Sequence, residues 1–152
     1  ITPIPNAVVD IWHANQGEYD PKENAYRDAK YEDENFRAKI YTDNNGNYSF
    51  QTVMPGKYDN GGTDRPSHIH FKSSYLDQNE ITTQLYFEGD TSIENDPWAS
   101  NEDATNRIIP LIIDNNNNRR QCECRTCCVI KEKQWKSCRC RLPRTDKFQR
   151  RE

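Results

Sequence analysis

The sequence predicts an all-β chain, a β-sandwich of mainly antiparallel strands, from three observations. β-Branched and aromatic residues gather in short runs with partial alternation, and clusters of Asn, Asp, Gly and Pro separate those runs. Hydrophobic residues make up only 33% of the 152 residues, so the core must be economical. Short strands punctuated by turns favour a sandwich or barrel over an alternating α/β plan.

The elements follow in chain order. "NAVVDIWHA", residues 6–14, reads as a strand that ends near the turn-rich "NQGEYD". Residues 20–35 are highly charged and read as a loop, with room for a helical turn. "FRAKIYTDNNGNYSFQTVMPGKY", residues 36–58, reads as a hairpin: "AKIYT", the turn "DNNGN", then "YSFQTV". "SHIHFKSS" and "EITTQLYFEGD" are two further strands with "YLDQN" between them. "RIIPLIID", residues 107–114, is a last strand in which Pro110 suits an edge or a bend.

Charge divides the chain. Residues 1–118 carry 9 Lys+Arg against 20 Asp+Glu, whereas residues 119–152 carry 12 against 4 and hold all six cysteines. The break follows the Asn-rich "DNNNN", residues 114–118. We therefore expect a sandwich domain over 1–118 and an irregular, basic, Cys-rich tail over 119–152. The abrupt change in charge, cysteine content and pattern leads us to expect a disordered or frame-slipped continuation. A zinc or disulfide framework is the other reading, though the cysteine spacing fits no familiar zinc motif. A basic tail raises nucleic acid as a partner, but no periodic aromatics support it, so none is expected. No apolar run approaches the roughly 18 residues a membrane span needs. The sequence slightly favours the cytoplasm, although a start at Ile1 is compatible with a removed leader.

"DRPSHIHF", residues 64–71, carries two of the three histidines. On a strand, His68 and His70 point to the same face and form half of a metal site. A two-histidine-one-carboxylate ferrous site is one way to complete it. Tyrosine offers another. Tyr19 in "NQGEYD" and Tyr58 in "MPGKYDNGG" lie in turns next to strands. A free phenol has a pKa near 10, but a bound trivalent cation favours its anion, a hard donor for ferric iron.

"PIPNAVVDIWHANQGEY", "FRAKIYTDNNGNYSFQTVMPGKY", "RPSHIHF" and "TTQLYFEGD" occur in an order that resembles the intradiol ring-cleavage dioxygenases, over roughly residues 3–114. The resemblance implies a β-sandwich holding one non-haem Fe(III), with Tyr19, Tyr58, His68 and His70 as ligands. It implies cleavage of a catechol-type aromatic by O2 between its two hydroxylated carbons, giving a muconate-type diacid. Tyr58 would take up a substrate proton, Arg65 would stabilise negative charge, and Gln84 would orient the histidines or the substrate. The partners implied are a small aromatic diol and O2, and the sequence leaves homo-oligomerisation open.

Each residue also has a plainer reading. Turn tyrosines usually pack half-buried, and Tyr26 and Tyr31 compete with Tyr19 but match no motif. Arg65 could pair with Asp59 or Asp64, and Gln84 could be a structural hydrogen bonder. His13 reads as structural, Trp12 and Trp98 as core or pocket walls. A non-catalytic binding module on the same scaffold is the alternative function. The six-residue "DNGGTD" between Tyr58 and Arg65 is shorter than in the catechol-cleaving members.

Overall fold

The computed structural model describes residues 2–32, 35–114, 119–121 and 129–130. Its strands, in chain order, are β1 (Thr2–Pro3), β2 (Val8–Trp12), β3 (Glu18–Asp20), β4 (Ala25–Arg27), β5 (Arg37–Tyr41), β6 (Tyr58–Asp59) and β7 (Asp64–Arg65). They continue as β8 (His68–Ser74), β9 (Ile81–Phe87), β10 (Ile108–Ile109), β11 (Ile112–Asp114), β12 (Arg119–Gln121) and β13 (Val129–Ile130). Two 3-10 helices, Ile93–Asn95 and Glu102–Arg107, are the only helices among the described residues. The described residues are all-β, as expected, and no helix among them is long and apolar enough to cross a membrane.

One five-stranded sheet, in the order β10-β9-β8-β2-β5, carries the fold. Its neighbours run antiparallel except for β10, which lies parallel to β9. Strand alternation gives this sheet two unlike faces. Val9, Ile11, Ile69, Phe71, Leu85 and Phe87 point one way and form a buried apolar cluster with Ile109 and Tyr48. Asp10, Trp12, His68, His70, Gln84 and Tyr86 alternate with them, and so occupy the other face. Register aligns them: His70 lies between Trp12 and Gln84, and His68 lies opposite Tyr86.

The layer over the apolar face differs from the predicted hairpin. The turn closes as expected, with Asp43 N donating to Asn47 O at 2.8 Å. Its second arm, Tyr48–Val53, forms no strand. The alternation there is real, with Tyr48 buried, Phe50 half-buried, and Ser49 and Gln51 exposed. That pattern reports a buried face, not pairing: Phe50 and Met54 pack against the core cluster instead of extending the sheet.

Two other expectations change. Residues 20–35 contain neither plain loop nor helical turn at their start: β3 and β4 pair as a hairpin, with Tyr19 opposite Tyr26. The last predicted strand divides at Pro110 and Leu111 into β10 and β11, consistent with a residue that cannot donate to a ladder. Of the tail, β12 pairs with β11, and β13 pairs with β1. Its six cysteines, and with them the expected Cys-rich segment, lie outside the described residues.

The base of the β3–β4 hairpin closes through a close approach at Gly17. Its φ is +67°, and a Cβ there would stand 2.0 Å from the Arg27 carbonyl oxygen. Gly61 has a similar φ of +75° but open space around it. Alanine at either position meets backbone strain of about 1–2 kcal/mol; at Gly17 a collision with the backbone adds to it. Urea unfolding should therefore show a clearly larger loss of stability for Gly17→Ala than for Gly61→Ala. Equal losses would mean that the hairpin can move away from Gly17 at little cost.

Candidate metal centre

The polar face of the sheet supplies two imidazoles. His68 is 3% exposed, and its Nδ1 donates to the Pro66 carbonyl at 2.6 Å. A carbonyl only accepts, so the ring proton sits on Nδ1 and Nε2 presents its lone pair as an acceptor. His70 stacks on Trp12 with ring centroids 4.8 Å apart and planes 2° from parallel. Its Nε2 faces the same space, whereas its buried Nδ1 has no hydrogen-bond partner among the described residues. The two rings stand 4.9 Å apart, edge to face. Burial pushes both imidazoles down to about 4, with further lowering of His70 by its neighbour His68. Both are therefore neutral near pH 7, the form that ligates metals.

Two phenols meet these imidazoles. Tyr58 stands on β6, opposite Arg65 on β7. The short "DNGGTD" connection makes this a tight hairpin, closed by Asn60 N donating to Thr63 O at 3.0 Å. The second phenol is Tyr31. Its hydroxyl lies 3.1 Å from His68 Nε2 and 3.1 Å from His70 Nε2. Its ring meets Tyr58 edge to face at 5.4 Å. Burial, reinforced by Tyr58, holds the Tyr31 hydroxyl well above the usual phenol range.

Tyr19 is not in this group, and here the structure departs from the motif-based expectation. Its hydroxyl donates to Asn24 Oδ1 at 2.8 Å, its ring packs on Tyr26, and the residue is 51% exposed. The hairpin explains the departure. Tyr19 and Tyr26 are cross-strand partners, so they share one face of β3–β4 and pack on each other. A turn signal, "DPKEN", was present between them; recognising it would have left Tyr31 as the remaining tyrosine of this stretch.

Arg65 is 6% exposed and held from several sides. Its Nε donates to Asp96 Oδ2 at 2.8 Å and its Nη2 to Gln84 Oε1 at 2.9 Å. Its Nη1 donates to Tyr58 Oη at 3.3 Å. The Trp98 ring covers the guanidinium at 4.3 Å. Its carboxylate partner is thus Asp96, not Asp59 or Asp64; Asp64 pairs with Arg27. Asp96 is 1% exposed and also accepts from the backbone N–H groups of Trp98 and Ala99. Burial alone would raise its carboxyl, but the hydrogen bonds from Arg65 and those amides outweigh burial and keep it below the usual range. Asp96 had no sequence signal, since it lies 31 residues from its partner.

Gln84 Oε1 accepts from Arg65 and from the Tyr86 hydroxyl at 3.0 Å. His13 is engaged at both ring nitrogens, with the Ala14 carbonyl and Thr52 Oγ1, each at 2.7 Å. Trp12 and Trp98 flank the site through His70 and Arg65. Among the described residues no group of three or more His, Cys, Asp or Glu side chains is arranged to hold a metal. A metal at the histidine pair would therefore take its other ligands from the phenols. Two neutral imidazoles and two phenol oxygens suit a hard trivalent cation such as Fe(III).

The imidazole shifts carry a sign. The folded values lie below the unfolded value of 6.5, so between those limits the unfolded chain binds more protons. Their contribution is fully present above pH 6.5 and is lost as pH falls through about 4. Unfolding of the metal-free protein by urea should accordingly become easier across that window. The decline should be shallower in His70→Gln, and an identical pH profile for the two proteins would contradict it.

A sequence model of a family described as "Dioxygenase" matches residues 2–129. Catechol 1,2-dioxygenase 2 of Acinetobacter lwoffii is 36% identical over 125 residues, 72% of this chain and 42% of its own. The protocatechuate 3,4-dioxygenase beta chain of Burkholderia cepacia is 37% identical over 117 residues, 70% of this chain and 48% of its own. The solved chlorocatechol 1,2-dioxygenase of Pseudomonas putida superposes with a TM-score of 0.57 at 28% identity, over 73% of this chain and 49% of that one. The chain spans less than half the length of these relatives. It belongs to the intradiol ring-cleavage dioxygenase family.

Proposed function

We propose that this chain carries the iron(III) centre of an intradiol dioxygenase that uses O2 to cleave a catechol-type aromatic between its two hydroxylated carbons. The observation that carries the reading is the convergence of His68, His70 and two phenol hydroxyls beside a buried arginine. His68, His70 and Tyr58 would hold the metal together with a second phenolate. Bound ferric iron would supply a Lewis-acidic site that makes a chelated catecholate reactive toward O2.

The protein's own groups account for the remaining requirements. Tyr58 Oη, within hydrogen-bond reach of Arg65 Nη1, is the atom placed to take up a proton from a substrate hydroxyl. Arg65 keeps a fixed positive charge next to the imidazoles, its Nη1 3.5 Å from His68 Nε2. Asp96 and Gln84 hold that guanidinium in one orientation before substrate arrives. A charge oriented in advance, in a buried place, is the kind that stabilises developing anionic character. Catechol, protocatechuate and hydroxyquinol all present the required pair of adjacent hydroxyls.

Protein loaded with Fe(III) should absorb in the visible through phenolate-to-iron charge transfer and appear red to burgundy. Tyr58→Phe should weaken or shift that absorption, and a colourless protein holding zinc in preference would refute the iron assignment. Arg65→Ala should keep iron and colour, while turnover of catechols falls roughly 10²-fold. Parallel loss of iron and activity would instead make Arg65 a structural support of the centre.

A further inference from the structure

Resting on the iron reading above, we infer that Tyr31, and not Tyr19, supplies the second phenolate. Donor atoms bound to one first-row metal at roughly 2 Å and near right angles stand roughly 3 Å apart. Tyr31 Oη meets that spacing twice, at 3.1 Å from each imidazole Nε2. A phenol hydroxyl can donate to one of these nitrogens and accept from the other, and a metal in this space would replace both contacts with bonds to the same three donor atoms. The Tyr58 ring adjoins that of Tyr31 edge to face at 5.4 Å.

The chain around Tyr31 is fixed in place by the fold. Asp28 takes a left-handed φ of +55° directly after β4, which bends the chain away from the hairpin. Ala29 N then donates to Lys57 O at 3.0 Å, next to Tyr58. Asn15 secures both neighbours of Tyr31. Its N–H donates to Lys30 O at 2.8 Å, its Oδ1 accepts from Lys30 N at 2.9 Å, and its Nδ2 donates to Glu32 Oε1 at 2.7 Å. Tyr31 is itself 43% exposed, so its ring forms the solvent side of the cluster while its hydroxyl turns inward.

Tyr19 is held elsewhere with equal definition. Its hairpin is clamped by Arg27 to Asp64 and by Glu23 to the buried Lys57. Bringing Tyr19 to the imidazoles would require giving up those ties and its bond to Asn24.

The test compares Tyr31→Phe and Tyr19→Phe with the wild type, each loaded with Fe(III) and checked for native circular dichroism. The readouts are the visible charge-transfer band, the tyrosinate modes in resonance Raman, and iron retained against a chelator. Removing Tyr31 should cut the band to about half, shift its maximum and weaken iron retention by about tenfold or more. Removing Tyr19 should leave all three unchanged. Tyr31→His, which keeps a metal donor, should retain iron with the same loss of band, and it serves if the Phe variant does not fold. A band untouched in the Tyr31 variants, or halved in Tyr19→Phe, overturns the assignment while the iron reading stands. Iron-loaded wild type without any charge-transfer band overturns both.

Discussion

Strand β8 has to bury two incompatible surfaces at once, and the architecture follows from that requirement. Its sequence alternates His68, Ile69, His70, Phe71, and the pleat sends the apolar pair into the core and the imidazoles to the opposite face. A one-residue slip in register would exchange the faces, placing two imidazoles in the apolar cluster. Strands on both sides repeat the division. Val9 and Ile11 of β2, and Leu85 and Phe87 of β9, reinforce the apolar side, while Trp12 and Gln84 flank His70 on the other. The core and the candidate metal centre are thus two sides of one sheet, and neither can shift without the other.

Buried charge organises what lies above that sheet. Arg65 and Asp96 form an ion pair with 8% and 1% of their side chains exposed. A pair so removed from water is tolerable only because the remaining hydrogen-bonding groups also find partners. Gln84, Tyr58 and the amides of Trp98 and Ala99 are those partners. Their need for satisfaction ties the β6–β7 hairpin, β9 and the 96–99 turn into one unit. Lys57 does the same next door. Its ammonium, 4% exposed, reaches Asp90 at 3.0 Å and the hydroxyls of Thr91 and Ser92 at 3.1 Å. Asp90 also accepts from Ser67 N at 2.9 Å, one residue before His68. Through these charges, loops distant in sequence fix the position of the histidine strand and of Tyr58.

How much could be read in advance differs between strands and loops. β2, β8 and β9 were legible because each has a period of two bounded by turn residues, and both histidines with it. Tyr58 and Arg65 were legible as motif positions, and the hairpin that makes them neighbours follows from Gly-rich "DNGGTD". Tyr48–Val53 was misread because alternation signals one buried face and not what covers it. Asp96 was invisible, since the need for a buried counter-charge exists only after Arg65 has been enclosed.

The sequence by itself determined which strands form and which face each of their side chains takes, because that depends on local periodicity and turn chemistry. It therefore determined that His68 and His70 stand together. Only the tertiary structure decided which tyrosine joins them. Three tyrosines lie within residues 19–31, and the choice among them rests on interactions between distant segments. Tyr26 pairs with Tyr19 and occupies it, Asp28 turns the backbone, and Asn15 and Lys57 draw residues 29–32 toward the imidazoles. Such selection is a property of packed chains, where loop position is set by partners that no local pattern names.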